Sequence, residues 1–113
     1  MAAAKVIHVE VTGKDVPALQ KFYSHIFDWK LDTDNPDGYG MLRDENGLTT
    51  GIGGTQDGGA GNVTFYVHAD DPAGVLRRVE ELGGKVIMPL TEVAKDTTIA
   101  MFTDPEGHVV GIM

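Results

Sequence analysis

Between Val6 and Val11 the chain alternates, with Ile7, Val9 and Val11 on one side and Val6, His8 and Glu10 on the other. A period of two marks a strand with one apolar and one mixed face. Asp15 follows as an N-cap, and Val16, Leu19, Phe22, Tyr23 and Ile26 recur at helical spacing, which predicts a helix ending near Phe27 or Asp28. Trp29 to Thr33 reads as a second strand and Asn35-Pro36-Asp37-Gly38 as a turn. Tyr39 to Arg43 and Leu48 to Gly53 flank Asp44-Glu45-Asn46-Gly47 as the arms of a hairpin.

The second half repeats this plan. Asn62 to Val67 alternates as a strand, and Asp71-Pro72 starts a helix with proline at its first position. Val75, Leu76, Val79 and Leu82 form its apolar stripe, Arg77, Arg78, Glu80 and Glu81 face water, and Gly83-Gly84 ends it. Lys85 to Met88 is a short strand and Pro89 to Thr97 a loop over the mouth of any pocket, where Lys95 and Asp96 could touch a ligand. Thr98 to Thr103 and His108 to Met113 then flank the type I turn Asp104-Pro105-Glu106-Gly107. Each half reads β-α-β-β-β. The caps Asp15 and Asp71 are 56 positions apart and the turn residues Asp44 and Asp104 are 60 apart. The expectation is a single α+β domain over 1–113 with repeat halves at about 5–54 and 61–113. Gly51 to Gly61 joins them as a flexible connector, without the lysine and strand–helix setting of a phosphate loop.

Alternation also sorts the faces. A helix over Ile7, Val9 and Val11 leaves His8 and Glu10 opposite; one over Val63, Phe65 and Val67 leaves Asn62, Thr64 and Tyr66 opposite. On the last strand Val110 and Ile112 pack inward and Gly111 faces the other way. Polar groups converging on a curved sheet predict a binding pocket. Trp29 is assigned to the core, His25 and His108 to the surface, and His68 to the pocket rim.

Composition narrows the partners. The net charge is −8 with only nine Lys and Arg, which argues against nucleic acid or an anionic membrane and suits a cationic ligand. No cysteine is present, so there is no disulfide, thiolate metal site or cysteine nucleophile. No secretory leader or spanning run is read, and the expected location is cytoplasmic.

The opening His8 to Trp29, "HVEV…D…FY…IFDW", the segment Leu82 to Pro89, "LGGKVIMP", and the closing Phe102 to Met113, "FTDPEGHVVGIM", resemble the vicinal-oxygen-chelate (glyoxalase/bleomycin-resistance/dioxygenase) family. The resemblance implies paired β-α-β-β-β modules in a curved eight-stranded mixed sheet with helices on its convex face, and a homodimer. It also implies where metal ligands would lie: His8 and Asn62 on the first strands, Gly51 and Gly111 on the last. Metal-using members carry His or Gln, and Glu or His, at such positions, and a divalent ion needs three or four donors at about 2.0–2.2 Å. One imidazole and one amide do not supply them, so no metal or other cofactor is expected. The expected function is metal-free binding of a small, possibly cationic, molecule by His8, Glu10, Asn62, Thr64, Tyr66, Gly51 and Gly111. The alternative is a lyase, isomerase or dioxygenase using His8 and Glu10 as an acid–base pair or in an unusual metal site. A structural or regulatory role names no partner in the sequence.

Overall fold

The computed structural model describes residues 3–55 and 58–113. Met1, Ala2 and two connector residues, Gln56 and Asp57, lie outside the described residues. The elements are β1 (Val6–Gly13), α1 (Val16–Phe27), β2 (Gly40–Arg43), β3 (Thr49–Gly54), β4 (Val63–Val67), α2 (Pro72–Glu81), β5 (Lys85–Ala94), β6 (Thr97–Thr103) and β7 (Val109–Ile112). No described helix is long and apolar enough to cross a membrane.

Both helices start as the sequence predicts. Asp15 accepts from Ala18 N and Asp71 from Gly74 N, each at 3.2 Å, satisfying one otherwise orphaned donor per helix. α1 stops at Asp28, which takes the left-handed conformation at φ 55°. α2 stops at Gly83, φ 97°, with Gly84 N donating to Val79 O at 2.8 Å.

The chain divides into two compact units. One is Ile7–Val63; the other is Thr64–Met113 with the segment ending at Val6. In the first, β3 lies between β2 and β1, parallel to β1 and antiparallel to β2. In the second the order is β4-β7-β6-β5, with β4 and β7 parallel and the rest antiparallel. Each half thus sets its first strand beside its last, in parallel. The buried apolar residues are Ile52 in the first unit and Tyr66, Ile99, Ala100, Val110 and Ile112 in the second.

Three expectations are corrected. Trp29 to Thr33 is not a strand and contributes one bridge, Asp32 to Met41, so the described residues hold seven strands rather than eight. Asp32 Oδ1 accepts from Asp34 N at 2.9 Å and Asn35 N donates to Thr33 O, so the chain turns directly after that bridge and the pairing goes no further. Trp29 packs on the rings of Tyr23 and Phe27, 6.1 and 5.1 Å away. Pro89 to Thr97 is not a loop: β5 runs to Ala94, and Lys95-Asp96 makes a tight turn with Asp96 at φ 62°. β5 is an edge strand with three register shifts, a setting that tolerates Pro89.

The third correction concerns burial. The side of α1 turned from water carries Val16, Leu19, Gln20 and Tyr23, while Phe22 and Ile26 are 57% and 51% exposed. Gln20 belongs there because its Nε2 donates to Gly38 O and Ile52 O, both at 2.9 Å. α2 packs on β5 and β6, and Phe65 of the same unit is 44% exposed although it lies on the apolar side of β4; Val63 is 72% exposed.

Replacing either helix cap, Asp15→Ala or Asp71→Ala, should lower stability by about 1 kcal/mol. Urea unfolding should show a lower midpoint at an unchanged slope.

Candidate functional site

In the first unit the register sets His8 opposite Thr49 and Glu10 opposite Gly51. The face of β3 shared with His8 and Glu10 therefore reads Thr49, Gly51, Gly53: one hydroxyl, then bare backbone. His8 is buried, and both its ring nitrogens are engaged. Nδ1 lies 2.5 Å from Thr49 Oγ1, and Nε2 lies 2.8 Å from Tyr39 Oη. Tyr39 Oη donates in turn to Glu10 Oε2 at 2.8 Å. Because the phenol O–H is directed at Glu10, Nε2 carries the imidazole hydrogen and Nδ1 accepts from Thr49.

The sequence reading paired His8 directly with Glu10. The structure brings both to one place but sets the phenol of Tyr39 between them. Tyr39 enters from the turn before β2. Asn35 clasps its backbone, accepting from Tyr39 N at 2.9 Å and donating to Tyr39 O at 2.7 Å, while Gly38 turns the chain at φ 67°. The ring then lies over β3. A Cβ at Gly51 would overlap its hydroxyl, and one at Gly53 would stand 2.5 Å from Cδ1. Both glycines are the space this ring occupies.

Burial pushes the His8 imidazole below its ordinary pKa of 6.5, opposed by the Glu10 carboxylate and by a hydrogen bond to the Thr49 backbone. His8 is therefore a neutral ring near pH 7, held in one orientation from both ends.

The second unit shows a related arrangement without a histidine. Tyr66 pairs with Gly111 and its ring covers that glycine, where any Cβ would overlap it. Tyr66 Oη lies 3.9 Å from Met101 Sδ. Gly51 and Gly111 each stand seven positions after their turn aspartates, so the two registers make Tyr66 the counterpart of Glu10 and Thr64 the counterpart of His8. This corrects the assignment of Asn62 to that position. The offset from His8 to Thr64 is 56, the same as between the helix caps. Asn62 is exposed, and its backbone pairs with Thr12 through Thr12 N to Asn62 O at 2.9 Å and Asn62 N to Thr12 Oγ1 at 3.0 Å. Thr64 is 3% exposed, and its hydroxyl has no hydrogen-bond partner.

Of the named site residues, His8, Glu10 and Gly51 come together in the first unit, and Thr64, Tyr66 and Gly111 in the second. Asn62 does not join the His8 cluster. Sequence reasoning missed Tyr39 and Thr49; the signal was the G-x-G run of β3, a bare strand face that needs something to fill it. The remaining histidines stand apart. His25 is exposed, His68 meets Asp70 at 2.9 Å, and His108 meets Asp104 at 3.0 Å. Asp104 is held below its ordinary pKa first by the His108 backbone N–H and also by the His108 ring and Glu106 N, which fastens the closing turn. An open groove of about 520 Å³ beside the start of α2, lined by Asp70, Gly74, Arg77 and Glu81, lies on the second unit.

The sequence pattern of the Glyoxalase/Bleomycin resistance protein/Dioxygenase superfamily matches residues 5–112. The protein CFP32 of Mycobacterium bovis, and the same protein of Mycobacterium tuberculosis, is 29% identical over 113 residues. That match takes in 92% of this chain but 43% of CFP32, so the chain spans less than half the length of these relatives. Among solved structures, methylmalonyl-CoA epimerase from Mycobacterium tuberculosis superposes with a TM-score of 0.69 at 12% identity, covering 99% of this chain and 90% of that one. The 2,2′,3-trihydroxybiphenyl 1,2-dioxygenase of Sphingomonas wittichii gives 0.61 at 16% identity, covering 98% and 40%. At these identities the likeness is one of fold.

Two outcomes follow from the geometry. Because the folded-state pKa of His8 is lowered, the unfolded chain takes up a proton first as pH falls. Stability should be flat above about pH 7, then decline as pH drops below 6.5 toward the lowered value, and His8→Gln should remove that slope in urea titrations run from pH 5 to 8. Gly51→Ala should drive the Tyr39 ring off its seat and cost about 1–3 kcal/mol, read as a shifted urea midpoint.

Proposed function

Starting from a chain that belongs to the Glyoxalase/Bleomycin resistance protein/Dioxygenase superfamily, we propose that this domain binds a small molecule without a metal ion, at the His8–Tyr39–Glu10 face of its first unit. One observation carries the reading: the Tyr39 hydroxyl sits against His8 Nε2 and over Gly51. Of the four positions where family ligands would stand, now His8, Gly51, Thr64 and Gly111, only His8 offers a strong donor. Its outward nitrogen already faces a phenol, and tyrosine rings fill the space above both glycines. Among the described residues no group of three or more His, Cys, Asp or Glu is placed to hold an ion. The donor set therefore does not fit the family's divalent metal.

What remains suits recognition by hydrogen bonds and shape. Glu10 supplies an acceptor, His8 Nε2 a donor, and β3 a flat floor. The net charge of −8 favours a neutral or cationic ligand over an anion.

A second reading rests on the same line of atoms. Nε2, Tyr39 Oη and Glu10 Oε2 are spaced for a proton to pass between His8 and Glu10, so the trio could serve metal-free acid–base chemistry with Tyr39 as the link. Tyr39→Phe cuts that link while leaving the ring.

Elemental analysis of protein grown with zinc, nickel, iron and manganese should find each well below one ion per chain; a stoichiometric ion would overturn the metal-free reading. In a thermal-shift panel, a true ligand at a hundredfold excess over its dissociation constant should add about 2.7 kcal/mol. His8→Ala and Glu10→Ala should abolish that gain.

A further inference from the structure

The Tyr39 side chain behaves toward the site as a ligand would. Its ring lies on the backbone of Gly51 and Gly53, and its single oxygen meets His8 Nε2 and Glu10 Oε2 at 2.8 Å each. A hydroxyl is both donor and acceptor, so one atom serves the imidazole N–H and the carboxylate together. A carboxylate in that place has no hydrogen to give and would face Glu10 as a like charge. The floor suits a flat group, because the ring lies so close to both glycines that a Cβ on either would collide with it.

The seat and its occupant come from different parts of the fold. His8, Glu10, Gly51 and Gly53 sit on the paired strands β1 and β3. Tyr39 hangs from the turn before β2, anchored through its backbone by Asn35. Tyr39 is not a member of the β1–β3 ladder, so displacing its ring about the side-chain bonds requires no ladder hydrogen bond to break.

We propose that the site takes a planar ring bearing a hydroxyl, and that Tyr39 is a built-in occupant which such a ligand displaces. This rests on the metal-free binding reading above and adds the class of ligand. Wild-type protein must first lift its own ring, so its apparent affinity is lowered by the fraction of time the seat is vacant.

The test uses the full chain with p-cresol and toluene as probes, followed by thermal shift and by NMR titration. Tyr39→Ala empties the seat. It should bind p-cresol roughly tenfold or more tighter than toluene, the factor one well-placed hydrogen bond supplies. At about five times its dissociation constant, p-cresol should raise the melting temperature of this variant by about 4 °C. Wild type should bind p-cresol more weakly than Tyr39→Ala. Tyr39→Phe, which keeps the ring but loses both hydrogen bonds, should fall between them; this arm stands even where the alanine variant does not fold. A folded Tyr39→Ala that binds neither ring, or both alike, overturns the proposal. So does a wild type that binds no p-cresol up to its solubility limit, or a Tyr39→Phe that binds it no tighter than wild type. A stoichiometric metal in wild type, by contrast, sinks the metal-free reading while leaving these ring affinities measurable.

Discussion

A phenol can lie flat against a strand only where that strand has no side chains, and its hydroxyl can hold two polar groups only if both point at one spot. Tyr39 meets both conditions. Gly51 and Gly53 clear the floor, and the parallel register of β1 with β3 puts His8 and Glu10 on the same face as those glycines. The buried imidazole is thereby satisfied at both nitrogens, by Thr49 on one side and Tyr39 on the other, which offsets the cost of burying a polar ring. Removing the glycines, the tyrosine or the register would undo the other two.

The second unit shows which part of this arrangement is structural and which is specific. There too a tyrosine ring covers the glycine of the last strand, Tyr66 over Gly111, so filling a bare strand face is common to both halves. The polar chemistry differs. Thr64 takes the place of His8, and its buried hydroxyl has no partner, whereas His8 has one at each end. Tyr66 also comes from the strand itself, while Tyr39 is delivered by a turn. Among the described residues, the first unit alone sets a buried imidazole and a half-buried carboxylate around one tyrosine hydroxyl.

Much of this was legible in the sequence because period and caps are local signals. Alternation in Val6 to Val11 put His8 and Glu10 on the face away from the helix, and both aspartate caps stand where their spacing predicts. Alternation fixes the face but not the register: Asn62 and Thr64 are two apart and share a face, and it is the ladder, in agreement with the 56-position offset of the helix caps, that selects Thr64 as the partner position of His8. Tyr39 was hidden for a similar reason. As a sequence feature it opens a strand-like run, and nothing local says that its ring crosses to β3. The strand expected at Trp29 to Thr33 shrank to a single bridge because turns at Asp34 and Asn35 follow it directly, and the loop expected at Pro89 to Thr97 failed because an edge strand with bulges tolerates proline.

The core of this small chain is modest, and several large apolar side chains on α1, β4 and β5 remain exposed. Packing alone therefore does little to position the site. What fixes it is a local lattice of hydrogen bonds: Gln20 ties Gly38 and Ile52 together, Asn35 clasps Tyr39, and Thr49 meets His8 Nδ1. Directional bonds of this kind set orientation, and removing one partner leaves the other buried and unsatisfied. The division between a fixed polar wall on β1 and β3 and a ring hung from a clasped turn is thus what this balance of weak core and strong local bonding would produce.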